Sequence, residues 1–210
     1  MNNNKDNKDN NDYNNSSEYR CFTYLDQLDE KTIDLLDEIV VRKTEDEERD
    51  YISKKAFLMI KKEKSETTKK ILDIAISFFN NAGIYVNENN GSILYSSYYY
   101  NSSKYSFSDD YIDNITCANE AEKDVHCCII VTKKGENLKG GDIEIYNKNP
   151  YTFFQLIGYE QEEKDIYQLK TGTVLVLDGD TLYKLQTFKG NGSFNFMIIT
   201  LKDKNVKEDE

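Results

Sequence analysis

The chain of 210 residues contains one histidine, His126, one proline, Pro150, and no tryptophan. One histidine excludes any site that needs two imidazoles from the same chain. No Cys-x-x-C spacing occurs, so the four cysteines give little support for a zinc site. No apolar run approaches the roughly 20 residues of a membrane-spanning helix. The sequence therefore predicts a protein that does not enter membranes and cannot supply two histidine ligands to one metal ion.

Basic residues are also in deficit, with 27 Lys and Arg against 38 Asp and Glu and a net charge of −11. Nucleic-acid binding through phosphate neutralisation requires the opposite sign, so no nucleic-acid partner is expected. The N-terminus lacks the charged and then apolar layout of a secretory signal. We therefore expect a soluble, cytoplasmic protein whose cysteines are reduced thiols.

The length predicts one domain, which we place at residues 21–202. Eight of residues 1–20 are asparagine, and this segment has too little apolar surface to offset the entropy of ordering. We expect it to be a disordered tail and residues 203–210 to be a charged tail.

The first part of this domain, about residues 28–82, has helical periodicity. Apolar residues recur on one helix face in two stretches of residues 30–62, namely Ile33, Leu36 and Val40, then Ile52, Ala56, Met59 and Ile60. A second helix is predicted at 66–81, with Ser65 as N-cap and Gly83 as a left-handed terminator.

From residue 84 to about residue 202 the pattern changes to short segments rich in Tyr, Ile, Val, Phe and Thr, which favour strands. Helices followed by many short strands indicate an α+β layout with a barrel or sandwich. The candidate strands are residues 84–86, 92–100, 111–118, 126–132, 141–146, 153–159, 167–169, 174–178, 182–188 and 194–201.

Three of these segments carry a family resemblance, namely residues 127–131 (CCIIV), 139–146 (KGGDIEIY) and 171–178 (TGTVLVLD). In order and type they resemble the prolyl hydroxylase group of iron(II)/2-oxoglutarate dioxygenases. The resemblance implies N-terminal helices packed on a double-stranded β-helix, or jelly roll. It also implies an iron held by His-x-Asp and a second histidine, with a cation that binds 2-oxoglutarate.

The residues at these family positions are different in this chain. Counting along the strands, the His-x-Asp position falls at Cys117 and Asn119, and the second histidine falls at Tyr183. The position of the 2-oxoglutarate anchor falls at Ser193, which cannot bind a carboxylate as an arginine does. Lys184 or Lys189 could substitute as the cation. The chain is therefore expected to bind neither iron nor 2-oxoglutarate as a cofactor.

A narrower resemblance links the same segments to prolyl-hydroxylase-like proteins of poxviruses that have lost the metal ligands. It implies a catalytically inactive, cytosolic, host-modulating protein that binds a host protein, such as a prolyl hydroxylase or another sensing factor. Tyrosines are frequent in interface hot spots, so the best candidate contact residues are Tyr98, Tyr99 and Tyr100. The alternative for these tyrosines is a strand with aromatic packing on both faces.

Three other interpretations stay open. The first is an active oxygenase with unusual ligands, in which His126 acts with Asp109, Asp110 or Asp142. A metal cluster of Cys117, His126 and Cys127 is conceivable, although cysteines of this kind are more often small buried hydrophobes. The third is a cupin-like or carbohydrate-binding β module.

Overall fold

A computed structural model describes residues 23–47, 53–61, 63–101, 116–117, 125–146, 164–177, 181–186 and 188–204. These residues form two helices and eleven strands. In chain order they are β1 (Thr23–Gln27), α1 (Glu30–Thr44), β2 (Ser53–Ile60), α2 (Glu66–Asn81), β3 (Val86–Asn101), β4 (Thr116–Cys117), β5 (Val125–Lys134), β6 (Leu138–Gly140), β7 (Ile143–Tyr146), β8 (Lys164–Tyr167), β9 (Thr173–Leu177), β10 (Leu182–Leu185) and β11 (Phe188–Asp203). Neither helix is long and apolar enough to cross a membrane.

The strands form two antiparallel sheets. The larger sheet has the order β1-β9-β5-β11-β3-β2, with β6 paired to the start of β11, and the smaller sheet has the order β4-β10-β7-β8. Apart from β2 with β3 and β7 with β8, neighbouring strands are not consecutive in the chain, as in a jelly roll. The expected jelly-roll fold is therefore present.

The apolar residues of the long strand β11 are divided between two hydrophobic cores. Successive side chains of a strand point to opposite faces. Accordingly, Phe194 and Phe196 belong to a cluster between the two sheets, whereas Met197 and Ile199 belong to a cluster that contains helical residues. We call the first the inner core and the second the helix-side core.

The helix-side core consists of one face of the larger sheet and the apolar stripes of both helices. Helix α1 begins at the N-cap Asp29 and buries Leu36 and Val40. Helix α2 begins at Ser65, as the sequence predicts, and ends before Gly83, which has φ +79°. Its buried residues are Thr68, Ile71, Leu72, Ala75, Phe78 and Phe79.

The prediction of helix throughout residues 30–62 is wrong in its second half. Residues Ser53–Ile60 form β2, which pairs with β3 in the larger sheet. Ala56, Leu58 and Ile60 contribute to the helix-side core, so the apolar pattern has the two-residue period of a strand. Helical spacing of Ala56, Met59 and Ile60 fits the same segment, and pairing with β3 decides between the two.

Most of the predicted strands are present, with shifted ends. Residues 92–100 lie within β3, 126–132 within β5 and 194–201 within β11. Strand β1 was not predicted, and residue 169 lies beyond the end of β8. The candidate strand at 153–159 lies outside the described residues, as does most of 111–118. The proposed tail at 1–20 also lies outside them, so the domain limits stay a prediction.

A polar network attaches α1 to the larger sheet. The Asp37 carboxylate accepts hydrogen bonds from Thr132 Oγ1 at 2.8 Å and from Asn195 Nδ2 at 2.9 Å. Ser97 Oγ donates to Asn195 Oδ1 at 2.9 Å. The four residues come from α1, β5, β11 and β3. Since Asn195 is 3% exposed and central to the network, it fixes the position of the helix on the strands.

A second network lies on the outer face of the smaller sheet. The Glu144 carboxylate accepts hydrogen bonds from Tyr146 and Lys164 at 2.8 Å and from Gln186 at 2.9 Å. Burial alone raises the pKa of Glu144, but these hydrogen bonds and the Lys164 charge outweigh it, so that its pKa lies below the usual 4.5. The ionised carboxylate therefore ties β7 to β8 and to the end of β10.

Replacing Asn195 by alanine should lower the free energy of unfolding by about 1–3 kcal/mol, because Asp37 and Ser97 lose a buried partner. Urea unfolding followed by circular dichroism measures this change. Asn89→Ala is the matched control, because Asn89 is exposed, and it should be close to neutral. Equal effects of the two substitutions would show that the network does not fix α1.

Glu144→Gln should destabilise the protein at neutral pH and remove part of its acid sensitivity. A carboxylate with a lowered pKa stabilises the folded state above its unfolded pKa, and this contribution is lost as pH falls through the folded value. The stability difference between wild type and variant should thus be largest above about pH 4.5 and should shrink below it. Urea titrations at several pH values measure it, and a pH-independent difference would contradict the role of the charge.

Candidate functional site

The positions predicted for the metal ligands lie where β4 and β10 pair. Tyr183 of β10 lies opposite Thr116 of β4 and opposite Ile145 of β7. Cys117 lies opposite Leu182, one register position away. The topology thus brings the Cys117 and Tyr183 positions onto adjacent strands, while Asn119 lies outside the described residues.

Tyr183 is half-buried against the inner core. Ile145, the residue of β7 that pairs with Tyr183, is a buried member of the same core. A phenol is not part of the two-histidine, one-carboxylate site that holds non-haem iron. The position predicted for the second histidine therefore carries an aromatic side chain that packs against the inner core.

Aromatic side chains also fill the inner face of β11 and β3, near the predicted anchor for 2-oxoglutarate. Tyr98 stacks on Phe196 at 5.7 Å between ring centroids and lies 5.9 Å from Phe188. Phe194 lies 5.1 Å from Phe188 and 5.2 Å from Phe196. Burial raises the pKa of Tyr98. We call these four residues the aromatic cluster.

Ser193, the predicted anchor position, lies on the other face of β11 from Phe194, because adjacent residues alternate. It pairs with Tyr99, and its carbonyl accepts a hydrogen bond from the Gly135 amide at 2.9 Å. Lys184 lies opposite Glu144, on the outer face of the smaller sheet. Of Lys189 only the backbone is described, and it pairs with Lys139. Thus neither Ser193 nor Lys184 brings polarity or charge to the inner core.

His126 lies on the helix side of the larger sheet. It pairs with Leu201 of β11, which belongs to the helix-side core, whereas the adjacent Cys127 belongs to the inner core. Asp203 Oδ2 lies 4.0 Å from His126 Nε2. His126 and Cys127 therefore face opposite sides of one strand, which contradicts their joint membership of a metal cluster. Burial raises the pKa of the neighbouring thiol, Cys128.

Asp142 lies far from His126. Its carboxylate forms an ion pair with Lys134 at 3.1 Å. Lys134 is the last residue of β5, whereas His126 is near the start of that strand. Eight residues of strand separate His126 from Lys134, which is roughly 26 Å at about 3.3 Å per residue. The pairing of His126 with Asp142 as iron ligands is therefore wrong. Asp109 and Asp110 lie outside the described residues, and within the described ranges no three metal-binding side chains cluster.

An open cleft of about 460 Å³ adjoins this ion pair. Its lining includes Lys134, Asp142, Leu169 and Lys170. Asp142 immediately precedes the first residue of β7. The last residue of β7, Tyr146, pairs with Leu182, which in turn pairs with Cys117. The cleft therefore lies at the other end of the smaller sheet from the predicted metal position.

The three candidate interface tyrosines have different environments. Tyr98 belongs to the aromatic cluster and packs inside the barrel. Tyr99 points to the other face of β3 and is 42% exposed. Of Tyr100 only the backbone is described, opposite Gly192. Packing accounts for Tyr98, and of the two tyrosines whose side chains are described, Tyr99 is the exposed one.

No protein-family model matches the sequence, and no curated protein matches it either. Solved structures do resemble it. The prolyl-4-hydroxylase of Pseudomonas putida superposes with a TM-score of 0.54 at 9% identity, covering 88% of this chain and 94% of its own.

Two further neighbours agree. A 2OG-Fe(II) oxygenase family oxidoreductase from Burkholderia pseudomallei has a TM-score of 0.58 at 13% identity and covers 86% of this chain and 84% of its own. A non-haem α-ketoglutarate-dependent epimerase from nogalamycin biosynthesis has a TM-score of 0.61 at 12% identity, covering 89% and 80%. At such identities the likeness shows the fold alone, and that fold is the one of the 2-oxoglutarate/iron(II) oxygenases.

Proposed function

We propose that this chain is a catalytically inactive protein of the 2-oxoglutarate oxygenase fold that acts by binding another protein. The observation that carries the proposal is the aromatic cluster, together with Tyr183, on the inner face of the barrel. In an active oxygenase this region must hold an iron and a charged cosubstrate. Here it holds apolar rings.

The residues present do not fit iron. The sole histidine of the chain lies on the helix side of the larger sheet, so it cannot contribute to a site within the barrel. Without His126, any iron ligands would have to be carboxylates, thiols or amides alone, which does not provide the two-histidine set of non-haem oxygenases. An active oxygenase with atypical ligands is therefore the less favoured function.

The described residues of the inner face do not fit 2-oxoglutarate either. Binding of its carboxylate calls for an arginine or lysine in a protected site, with charge-assisted hydrogen bonds. The inner face of β11 instead presents Phe194 and Phe196, and Lys184 lies outside the barrel beside Glu144. We therefore propose that the protein uses neither iron nor 2-oxoglutarate.

The proposal of a protein partner is supported by the resemblance to poxvirus prolyl-hydroxylase-like proteins and by the exposed Tyr99. We propose that the chain is a viral protein that acts in the host cytoplasm and binds a host protein, such as a prolyl hydroxylase. Tyr99 is the proposed anchor, because it is exposed on β3 and large aromatic side chains often dominate interfaces. No nucleic acid or membrane is proposed as a partner, given the net charge of −11.

The inactive state is tested by an anaerobic thermal-shift titration of the full chain with Fe(II) or Mn(II), with and without 2-oxoglutarate. A ligand that binds only the folded state raises stability by about 2.7 kcal/mol at 100 times its Kd. We expect no shift in the melting temperature, with an active prolyl hydroxylase as positive control. A metal-dependent shift that grows with 2-oxoglutarate would overturn the proposal.

The partner is tested by direct binding of the purified protein to the catalytic domain of a host prolyl hydroxylase. Tyr99→Ala should weaken binding by about tenfold or more, the effect expected for a hot spot. Tyr85→Ala is the matched control, because Tyr85 is 66% exposed and should not change affinity. Absence of binding would refute this partner, and equal effects of the two substitutions would refute the Tyr99 surface.

A further inference from the structure

Strand β2 is one of the two outer strands of the larger sheet in the described part of the chain. One of its faces packs on the helix-side core through Ala56, Leu58 and Ile60. Its other face carries Phe57, 64% exposed, and Met59, 57% exposed. Long edge strands with exposed apolar residues readily pair with another strand. An edge of this kind is therefore suited to binding an extended segment.

We propose that a second copy of this chain occupies this edge, with the two β2 strands paired antiparallel about a twofold axis. Such an interface is isologous, so the same surface is used twice. The main-chain hydrogen bonds of β2 provide the attraction, and its side chains select the partner. This inference concerns assembly and does not depend on the proposed host partner.

The order of side chains along β2 favours an antiparallel self-pair. Lysines lie in its first half, at Lys54 and Lys55, and apolar residues fill its second half. With Phe57 opposite Phe57 of the second copy, Lys55 lies opposite Met59 and Lys54 opposite Ile60. A parallel pair in register would instead place like charges side by side, which destabilises strand pairs.

The charges that flank β2 are complementary in the same arrangement. Glu45, Asp46 and Glu47 precede the strand and are exposed. Lys54 Nζ donates to the Glu45 carbonyl oxygen, which holds this acidic segment beside the start of β2. After the strand comes Lys61, which is exposed, and then Lys62 in the sequence. In an antiparallel pair the acidic flank of each copy meets the basic flank of the other.

Phe57 contributes the apolar contact at the twofold axis. Directly opposite residues of an antiparallel pair have Cβ atoms about 4.5–5.5 Å apart, so the two Phe57 rings can pack on each other. The contact would reduce the exposure of both rings. Since Phe57 is exposed in the single chain, its replacement should leave the fold intact.

The first test is the molar mass of the full chain in solution, measured by light scattering and sedimentation over a range of concentrations. We expect a dimer of twice the 24.5 kDa chain mass. Phe57→Lys should shift the protein to the monomer mass, because it places two lysines directly opposite each other at the twofold axis. Leu25→Lys is the matched control, because Leu25 is 52% exposed on β1, the other outer strand, and this variant should stay dimeric.

A second variant fixes the register. Phe57→Cys should give a covalent dimer under mild copper-phenanthroline oxidation, because the two new thiols face each other at the axis. Wild type and Leu25→Cys, treated identically, should not. A wild-type monomer at about 100 μM, well above a micromolar Kd, would overturn the proposal. So would a dimer that persists in Phe57→Lys or a disulfide that forms equally in the Leu25→Cys control.

Discussion

The alternation of side chains along β11 is the constraint on which the rest of the structure depends. This 16-residue strand lies between β3 and β5, so its two faces set the faces of both neighbours. One face is committed to the helices and the other to the space between the sheets. Because opposite residues in a pair share a face, the pairing of Leu201 with His126 places the only histidine with the helices. A shift of one residue in register would exchange every such assignment.

The inner face of the larger sheet is packed with apolar and aromatic side chains that contribute stability. A charged cosubstrate requires a cation, hydrogen-bond donors and space. When the ligand is absent, the buried cation and donors lose their partners, which is unfavourable. Aromatic rings avoid this requirement and bury large areas in tilted and stacked contacts. The aromatic cluster and Tyr183 thus make the barrel an apolar core that stabilises the fold without a ligand. The inner core is thus held together by packing, and the fold does not determine the function, since function is a property of sites.

The sequence predicts the local features well and the long-range ones poorly. Helix α2 is predicted from Ser65 to Gly83 because its cap, stripe and terminator are all local signals. Strand β2 is missed because its apolar positions fit both the helical period and the strand period. Only its pairing with β3 distinguishes the two. The contact between Asp37 and Asn195 spans 158 positions, so no local pattern indicates it. Glu144 is similar: one acidic residue in a strand gives no signal of its three partners.

For the candidate site, the sequence predicted the order of the strands that carry Cys117 and Tyr183. It did not predict the orientation of Ser193, because counting residues does not determine which face of β11 they occupy.

Strand β2 lies close to both of the proposed binding surfaces, its own outer edge and Tyr99. Strand β2 pairs with β3 so that Ser53 lies opposite Tyr98, which places Tyr99 beside the start of the outer strand. Phe57 lies opposite Leu94, five residues from Tyr99. A twofold axis at Phe57 would therefore separate the two copies of Tyr99 by roughly 34 Å along the strands, at about 3.4 Å per residue. Both would lie on the same face of a continuous sheet. A dimer of this kind presents two equivalent binding surfaces at a fixed distance, and simultaneous engagement of a dimeric partner raises the apparent affinity without any new contact.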